Sequence, residues 1–258
     1  MSIDLKKEIS STIQNEDDIF SAGDWLYWKC EFEKAQKHFE AVLNRPSLTA
    51  SDLARCYKSL SAVEVELKNY DKAINLYNKQ LDILQTICDS TSKNEDILKC
   101  YILIGKVYWL KSDYDQAITY HHQAIEFAQS FKSSPIGVSD IYKNLANIYT
   151  STKQFDLALE YFEKALQIDD KHLPKNDLQL GQTYANMGAM YLSKQNYKEA
   201  LKHFEKARET FLKRIPSTHV TIEKIDKTIQ KVNFKLSKLQ NYLKDRYKTE
   251  LIMIFSFW

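Results

Sequence analysis

The chain repeats itself most clearly in two stretches, IYKNLANIYTSTKQFDLALEYFEKAL (residues 141–166) and TYANMGAMYLSKQNYKEALKHFEKAR (residues 183–208). Both contain a small residue, a tyrosine, an alanine and a phenylalanine at the same spacings: Gly188, Tyr191, Ala200 and Phe204 in one, and Ala146, Tyr149, Ala158 and Phe162 in the other. A small residue on one helix and an alanine on the next allow two helices to approach closely. The pattern therefore predicts a pair of antiparallel helices in each copy.

Three further copies precede these two. They contain Gly105, Tyr108 and Ala117 with His121 in the place of the phenylalanine, then Ser61, Ala73 and Tyr77, and, in the weakest copy, Gly23, Ala35 and Phe39. The copies recur at intervals of about 40 residues, which is typical of a tandem helical repeat. The predicted repeats are about 16–49, 54–88, 98–131, 139–172 and 181–214.

Turn-forming residues fall between these helices. Polar turns at 152–154 and 193–196 separate the helices of a pair, and the polar stretch 89–96 ends the second repeat. The connectors after second helices contain all of the prolines: Pro46, Pro135, Pro174 and Pro216. We therefore expect an all-α chain with one array at 16–215, preceded by an N-terminal tail at 1–15.

A further helical pattern follows the array. Apolar residues recur at a helical period on an otherwise lysine-rich segment: Ile222, Ile225, Ile229, Val232, Leu236, Leu239 and Leu243. This pattern predicts a capping helix at 216–250 that covers the last repeat, with its lysines on a solvated face. The apolar tail at 251–258 is too short to span a bilayer. We expect it to pack back on the array or to end irregularly; an interfacial anchor is the minor alternative.

The best copy, with Tyr184, Gly188, Tyr191, Ala200, Phe204 and Ala207, resembles the tetratricopeptide repeat (TPR). The long connectors, such as 173–178, are similar to those of kinesin light chains, although no heptad coiled coil precedes the array and Leu26 replaces the tyrosine of the first copy. The resemblance implies a right-handed α-solenoid of about five TPR helix hairpins plus the capping helix. It also implies a protein–protein interaction scaffold or adaptor without catalytic activity.

Composition and motifs agree with a binding role. A formal net charge of +2 argues against a nucleic-acid partner. The sequence contains none of the common phosphate-binding, nucleophile-elbow or zinc-protease motifs, and we predict no cofactor and no metal. One of His121 and His122 is expected to replace the packing aromatic while the other faces solvent, and the pair Asp169–Asp170 is interpreted as structural. Without a leader-like apolar run or a paired cysteine motif, a cytoplasmic protein with reduced, at least partly buried thiols is expected.

The offset from the packing residues selects eight candidates for a peptide-binding groove: Lys58, Lys106, Trp109, Lys143, Asn147, Asn186, Ser193 and Lys224. Lysine and asparagine side chains favour an acidic or carboxylate-bearing peptide.

Some of these positions carry a second resemblance. In TPR domains that hold a C-terminal carboxylate, a lysine and an asparagine on one first helix join an asparagine on the next and two basic residues on the third. Lys143 and Asn147, Asn186, and Lys224 match, whereas Thr228 stands at the last place. The alternative interpretation is that these are ordinary polar residues of the groove.

The sequence leaves two alternative functions open. The first is a regulatory or substrate-recruiting subunit of an enzyme complex, with catalysis in another chain. The second is a structural homo-oligomer.

Overall fold

The computed structural model describes residues 19–87, 91–131 and 133–256. In these ranges the chain forms eleven α-helices and no β-strand. The helices are α1 (Ser21–Trp28), α2 (Phe32–Leu43), α3 (Ala50–Glu66), α4 (Tyr70–Thr86), α5 (Thr91–Leu110), α6 (Tyr114–Ser130), α7 (Pro135–Ser151), α8 (Phe155–His172), α9 (Leu178–Ser193), α10 (Tyr197–Leu212) and α11 (Val220–Ser256). The predicted tail at 1–15 lies outside the described residues.

Consecutive helices pack as hairpins and form two compact units. Unit 1 ends at Ser133 and contains the hairpins α1–α2, α3–α4 and α5–α6. Unit 2 begins at Ser134 and contains the hairpins α7–α8 and α9–α10 together with α11. The all-α hairpin architecture is as predicted, but nothing in the repeat pattern marks the division at Ser133. The predicted repeat boundaries stay predictions.

In the hairpins whose first helix has a glycine at the small-residue position, the glycine lies against the large residue sixteen positions later. A Cβ atom on Gly188 would lie only 2.9 Å from the ring of Phe204, and one on Gly105 would lie 3.0 Å from the ring of His121. The sequence suggested the alanine as the facing partner, but the large ring occupies the space that the small residue leaves. The five repeat alanines, from Ala35 to Ala200, are each 0% exposed, as core residues should be.

The two helices of each hairpin are joined by a turn with the same backbone geometry. One residue of each turn has a positive φ between 59° and 66°: Cys30, Lys68, Ser112, Lys153 and Gln195. At the last turn the Gln195 amide donates to the Leu192 carbonyl and the Asn196 amide donates to the Tyr191 carbonyl. These two bonds form a Schellman motif, which satisfies carbonyl groups at the end of the first helix. Asn196 then caps α10 by accepting from the Glu199 amide.

Helix α11 covers the end of unit 2 with residues from its first half. Ile222, Ile225 and Val232 are buried against the preceding hairpin, as predicted. Leu239 and Leu243 belong to the same apolar pattern but are 41% and 40% exposed. The helix continues to Ser256 and so includes most of the predicted tail, whose last two residues, 257 and 258, lie outside the described ones.

The histidines and cysteines follow the sequence predictions with one exception. His121 is 1% exposed, and burial, with a smaller contribution from neighbouring His122, lowers the pKa of its imidazole to about 4. His122 is exposed, as expected. Cys56 and Cys100 are free and buried, whereas Cys30 is free but exposed, because it occupies a hairpin turn. Cys88 lies outside the described residues.

Candidate peptide-binding surface

In each unit, two first helices of neighbouring hairpins contact each other: α1 with α3, and α7 with α9. In unit 1, the Arg55 guanidinium of α3 is 3.3 Å from the Asp24 carboxylate of α1. The Tyr27 hydroxyl of α1 donates to the Glu66 carboxylate of α3 over 3.4 Å. In unit 2, α7 contacts α9 directly. Adjacent first helices are the arrangement from which helical-repeat proteins build their binding surfaces.

The candidates of unit 1 lie on neighbouring first helices. Lys58 on α3 and Lys106 on α5 are exposed, while Trp109 on α5 is half-buried. Burial raises the pKa of the Cys100 thiol to about 12, and the charge of Asp96 adds to this, whereas the positive charge of Lys58 acts in the opposite direction. Lys58 therefore lies close to the helix that carries Lys106 and Trp109.

Lys143 in unit 2 is placed differently from the sequence expectation. It is only 7% exposed, and its Nζ atom is 2.6 Å from Asp140 Oδ1 and 3.5 Å from Asp169 Oδ2. The expectation of an exposed ammonium group is wrong here, because two carboxylates hold the side chain inward and compensate its charge. Its participation in ligand binding stays a prediction.

The carboxylate of Asp169, whose burial and partners were not predicted from the sequence, explains this placement. Asp169 is fully buried; one of its oxygens accepts from the Ser139 hydroxyl and the other from the Thr183 hydroxyl at 2.8 Å. The network joins α7, α8 and α9. A carboxylate in the last turn of a helix interacts unfavourably with the helix dipole. The position of Asp169 near the end of its helix was therefore the one feature of the sequence that could have indicated stabilising partners for this carboxylate. Its neighbour Asp170 makes only an exposed ion pair with Lys175.

The other candidates of unit 2 remain accessible. Asn147 and Asn186 are half-buried, and Ser193 and Lys224 are exposed. The amide oxygen of Asn186 accepts from Gln182 at 2.8 Å. Thr228, at the last place of the carboxylate-binding pattern, donates its hydroxyl to the Lys224 carbonyl of its own helix. The candidates thus lie on α7, α9 and α11, and their convergence on one carboxylate stays a prediction.

Two clefts that the sequence did not predict lie along α11. One is lined by Lys227, Gln230, Lys231, Phe234, Lys235 and Lys238. The other runs from the α9–α10 turn to α11 and is lined by Gln195, Tyr197, Lys235, Lys238, Leu239 and Tyr242. The described part of the chain contains no group of three or more His, Cys, Asp or Glu residues that could hold a metal ion. None of its helices is long and apolar enough to cross a membrane.

Stacked antiparallel hairpins with small-to-large packing define the α-solenoid class of helical-repeat proteins. Residues 98–131 and 137–213 each match a family model described as tetratricopeptide repeat. These two segments are therefore tetratricopeptide repeats. Neither matching model describes a catalytic family.

Solved structures with low sequence identity share the fold. BtubC (BKLC) from P. vanneervenii is 17% identical with a TM-score of 0.65, over 85% of this chain and 88% of that one. TPR-like repeats described as a Podosopora anserina kinesin light chain are 15% identical with a TM-score of 0.60, over 77% and 96%. The Rap conjugation gene regulator of plasmid pLS20, in complex with the Phr* peptide, is 15% identical with a TM-score of 0.56, over 97% and 72%. No curated protein sequence matches the chain.

Proposed function

We propose that this chain is a non-catalytic interaction scaffold that binds a peptide or helix of a partner protein along its first helices. The observation that carries the proposal is the side-by-side packing of first helices, which present polar and aromatic side chains instead of a covered core face. The fold that this chain shares with the Rap–Phr* complex supports the proposal, since in that protein the fold binds a peptide. A cytoplasmic location belongs to the same proposal and is supported by the free thiols of Cys56 and Cys100.

The exposed cations favour an acidic ligand. Lys58 and Lys106 in unit 1, and Lys224 in unit 2, are exposed lysines on first helices. Complementary charges mainly increase the association rate and the specificity, and their effect weakens as salt screens them. Trp109 adds an apolar contact beside Lys106. The ligand class is therefore an acidic peptide that also carries an apolar side chain.

Unit 2 could in addition recognise the terminal carboxylate of such a peptide. Asn147, Asn186 and Lys224 would provide the accessible donors, because Lys143 already contacts Asp140 and Asp169. Charge-assisted hydrogen bonds from several helices can satisfy the oxygens of one carboxylate. If this part of the proposal holds, an acidic peptide with a free C-terminus binds more tightly than its amidated form. Equal binding of the two forms would exclude the carboxylate site but not the scaffold.

Affinity capture from a native lysate tests the scaffold itself. The full chain is compared with a unit 1 variant, Lys58→Glu with Lys106→Glu, and a unit 2 variant, Asn147→Ala with Asn186→Ala and Lys224→Ala. The matched control is Lys37→Glu with Lys202→Glu, which changes exposed lysines on second helices. We expect the control to retain the partner and at least one surface variant to lose it. Equal capture by all variants, at equal thermal stability, would contradict the proposal.

The identity of the captured protein separates two versions of this function. A structural or signalling partner corresponds to an adaptor, whereas a catalytic chain corresponds to a regulatory or substrate-recruiting subunit. Sedimentation of the purified chain at several concentrations tests the homo-oligomer, which would form without any other protein.

A further inference from the structure

One face of α11 has no helix packed against it in the described part of the chain. Where the first helix of a hairpin has a glycine at the small-residue position, that glycine faces the large residue of the second helix, as Gly188 faces Phe204. Helix α9 begins at Leu178 and α11 begins at Val220, so the position on α11 that is equivalent to Gly188 is Gln230, which is exposed. A glutamine there prevents the close approach that a glycine or alanine permits. The face that a second helix covers elsewhere in the array is therefore open on α11, and the lysines Lys227 and Lys231 line it beside Gln230.

This open face combines lysines with exposed aromatic rings. Lys227, Lys231, Phe234 and Lys238 follow one another at helical spacing, and they line a single cleft. The Phe234 side chain is 69% exposed. The salt bridges of the described residues do not include any of these three lysines.

A second apolar group adjoins this face. Tyr242 is 61% exposed, and it forms a cleft with Leu239 and with Tyr197 from the start of α10. Lys235 lies over the Tyr197 ring with its Nζ atom 5.8 Å from the ring centroid, so an ammonium group borders the apolar cleft. Exposed rings of this size are unusual on a solvated helix, and their grouping indicates a surface that becomes covered.

The sequence farther along α11 supplies a second apolar element. Residues 251–258 read LIMIFSFW and contain no charged residue, and the helix extends to Ser256. One short apolar segment gives only weak membrane affinity, and so does one basic patch. The two together on one element give stable attachment. Phenylalanine, tyrosine and tryptophan are also the residues that favour the membrane–water interface.

We propose that the C-terminal half of α11 is an interfacial anchor that lies on the surface of an anionic lipid bilayer. Its lysines contact lipid headgroups, while Phe234 and Tyr242 enter the boundary between headgroups and acyl chains, and the uncharged sequence of residues 251–258 adds to the apolar content of the anchor. A nucleic acid would use the lysines and the two rings but would leave 251–258 unexplained. An acidic soluble partner would likewise not account for the segment 251–258, which carries no charge and has three aromatic residues among its last four positions.

Co-sedimentation of the full chain with vesicles tests the anchor. We expect binding to vesicles of phosphatidylcholine with phosphatidylserine, weakened by salt, and little binding to phosphatidylcholine alone. Reversing three charges (Lys227→Glu, Lys231→Glu and Lys238→Glu) should weaken the partition by about 100-fold or more, because each basic residue contributes a factor of about five near an anionic surface. Deleting residues 251–258 should weaken it at every phosphatidylserine content. The control is Lys37→Glu with Lys198→Glu and Lys213→Glu, which reverses three other exposed lysines.

The vesicle binding of the charge-reversed variant is compared with that of this control. Absence of binding to the anionic vesicles, or equal binding by the charge-reversed variant and the control, would overturn the anchor. Tighter binding to a single-stranded oligonucleotide or to polyglutamate than to the vesicles would also overturn it. A Phe234→Trp variant adds a position-specific measurement: brominated acyl chains should quench its additional fluorescence. The Lys58→Glu with Lys106→Glu variant should sediment like the unaltered chain, so that failure of the anchor is distinguishable from failure of the scaffold.

Discussion

The two units each bury one carboxylate completely, but they compensate its charge in different ways. In unit 1, Glu64 accepts from Gln36 and Asn69 at 2.8 Å, and Lys72 lies 2.7 Å away. The Lys72 side chain is 46% exposed and also contacts Glu40. In unit 2, Asp169 accepts from two hydroxyl groups, and the lysine near it, Lys143, is only 8% exposed at its side chain.

This difference decides which lysines remain available to a ligand. The partners of Glu64 come from α2, α4 and the turn before α4, so they leave the first-helix lysines of unit 1 exposed. The network around Asp169 instead takes Lys143 from the first helix α7. The buried carboxylate thus has partners in both units, but in unit 2 one of those partners is Lys143, a candidate binding residue. Of the exposed candidate lysines for peptide binding, unit 1 therefore supplies two, Lys58 and Lys106, and unit 2 supplies one, Lys224.

Replacing Asp169 with alanine should produce the largest effect. It leaves the Ser139 and Thr183 hydroxyls without their acceptor and leaves Lys143 buried with Asp140 alone. Breaking a buried ion pair by removing one partner costs about 4 kcal/mol. The neighbouring Asp170→Ala, which removes only an exposed pair with Lys175, should cost less than about 1 kcal/mol. Chemical denaturation of both variants measures the difference; similar losses would show that the network is not energetically important.

Replacing Glu64 with alanine should cost less, about 2 to 3 kcal/mol. The reason is that Lys72 is half-exposed and keeps both water and Glu40 as partners. The amides of Gln36 and Asn69 would still lose their acceptor. Denaturation under the same conditions as for Asp169→Ala gives the comparison. A loss for Glu64→Ala that equals or exceeds the loss for Asp169→Ala would contradict the argued difference between the units.

Acid should destabilise unit 1 through His121. Burial lowers the pKa of His121 from 6.5 to about 4, so the unfolded chain takes up the proton at a higher pH than the folded chain does. The contribution of this residue is fully present above pH 6.5 and is lost as pH falls from there towards about 4. By linkage the loss reaches about 2 kcal/mol near pH 5. His203 in unit 2 is half-buried and its pKa is also lowered, mainly by burial, so a weaker dependence of the same sign is expected there.

The His121→Phe variant isolates this effect, since phenylalanine occupies the equivalent place in three other repeats. We expect the variant to lose the His121 part of the pH dependence between about pH 7 and pH 5. Thermal unfolding at several pH values measures it. An unchanged pH profile would mean that His121 is not the group that titrates.

The features predictable from sequence were those that the repeats share. Gly188 with Phe204 and Ala146 with Phe162 recur because each hairpin meets the same packing requirement, so self-similarity reveals them. The hydrogen bonds of Asp169 occur once and join residues far apart in the chain, so no repeat could indicate them. Periodicity also marks an apolar stripe without showing whether anything covers it. Leu239 has the right spacing but is 41% exposed, because no described helix packs over it.

The smallest predicted effect concerns a feature in which the two units are alike, the turn that joins the helices of a hairpin. Lys68 in unit 1 and Gln195 in unit 2 both have a φ of 62°, a left-handed conformation that costs a residue with a side chain about 1 kcal/mol or more. Glycine adopts it freely but loses more entropy on folding, so Lys68→Gly and Gln195→Gly should each stabilise the chain by only about 0.5 kcal/mol. Because both turns contain the same pair of backbone hydrogen bonds, the two gains should be equal. Denaturation midpoints of the two variants test this, and a gain in one unit with a loss in the other would show that the turns are not equivalent.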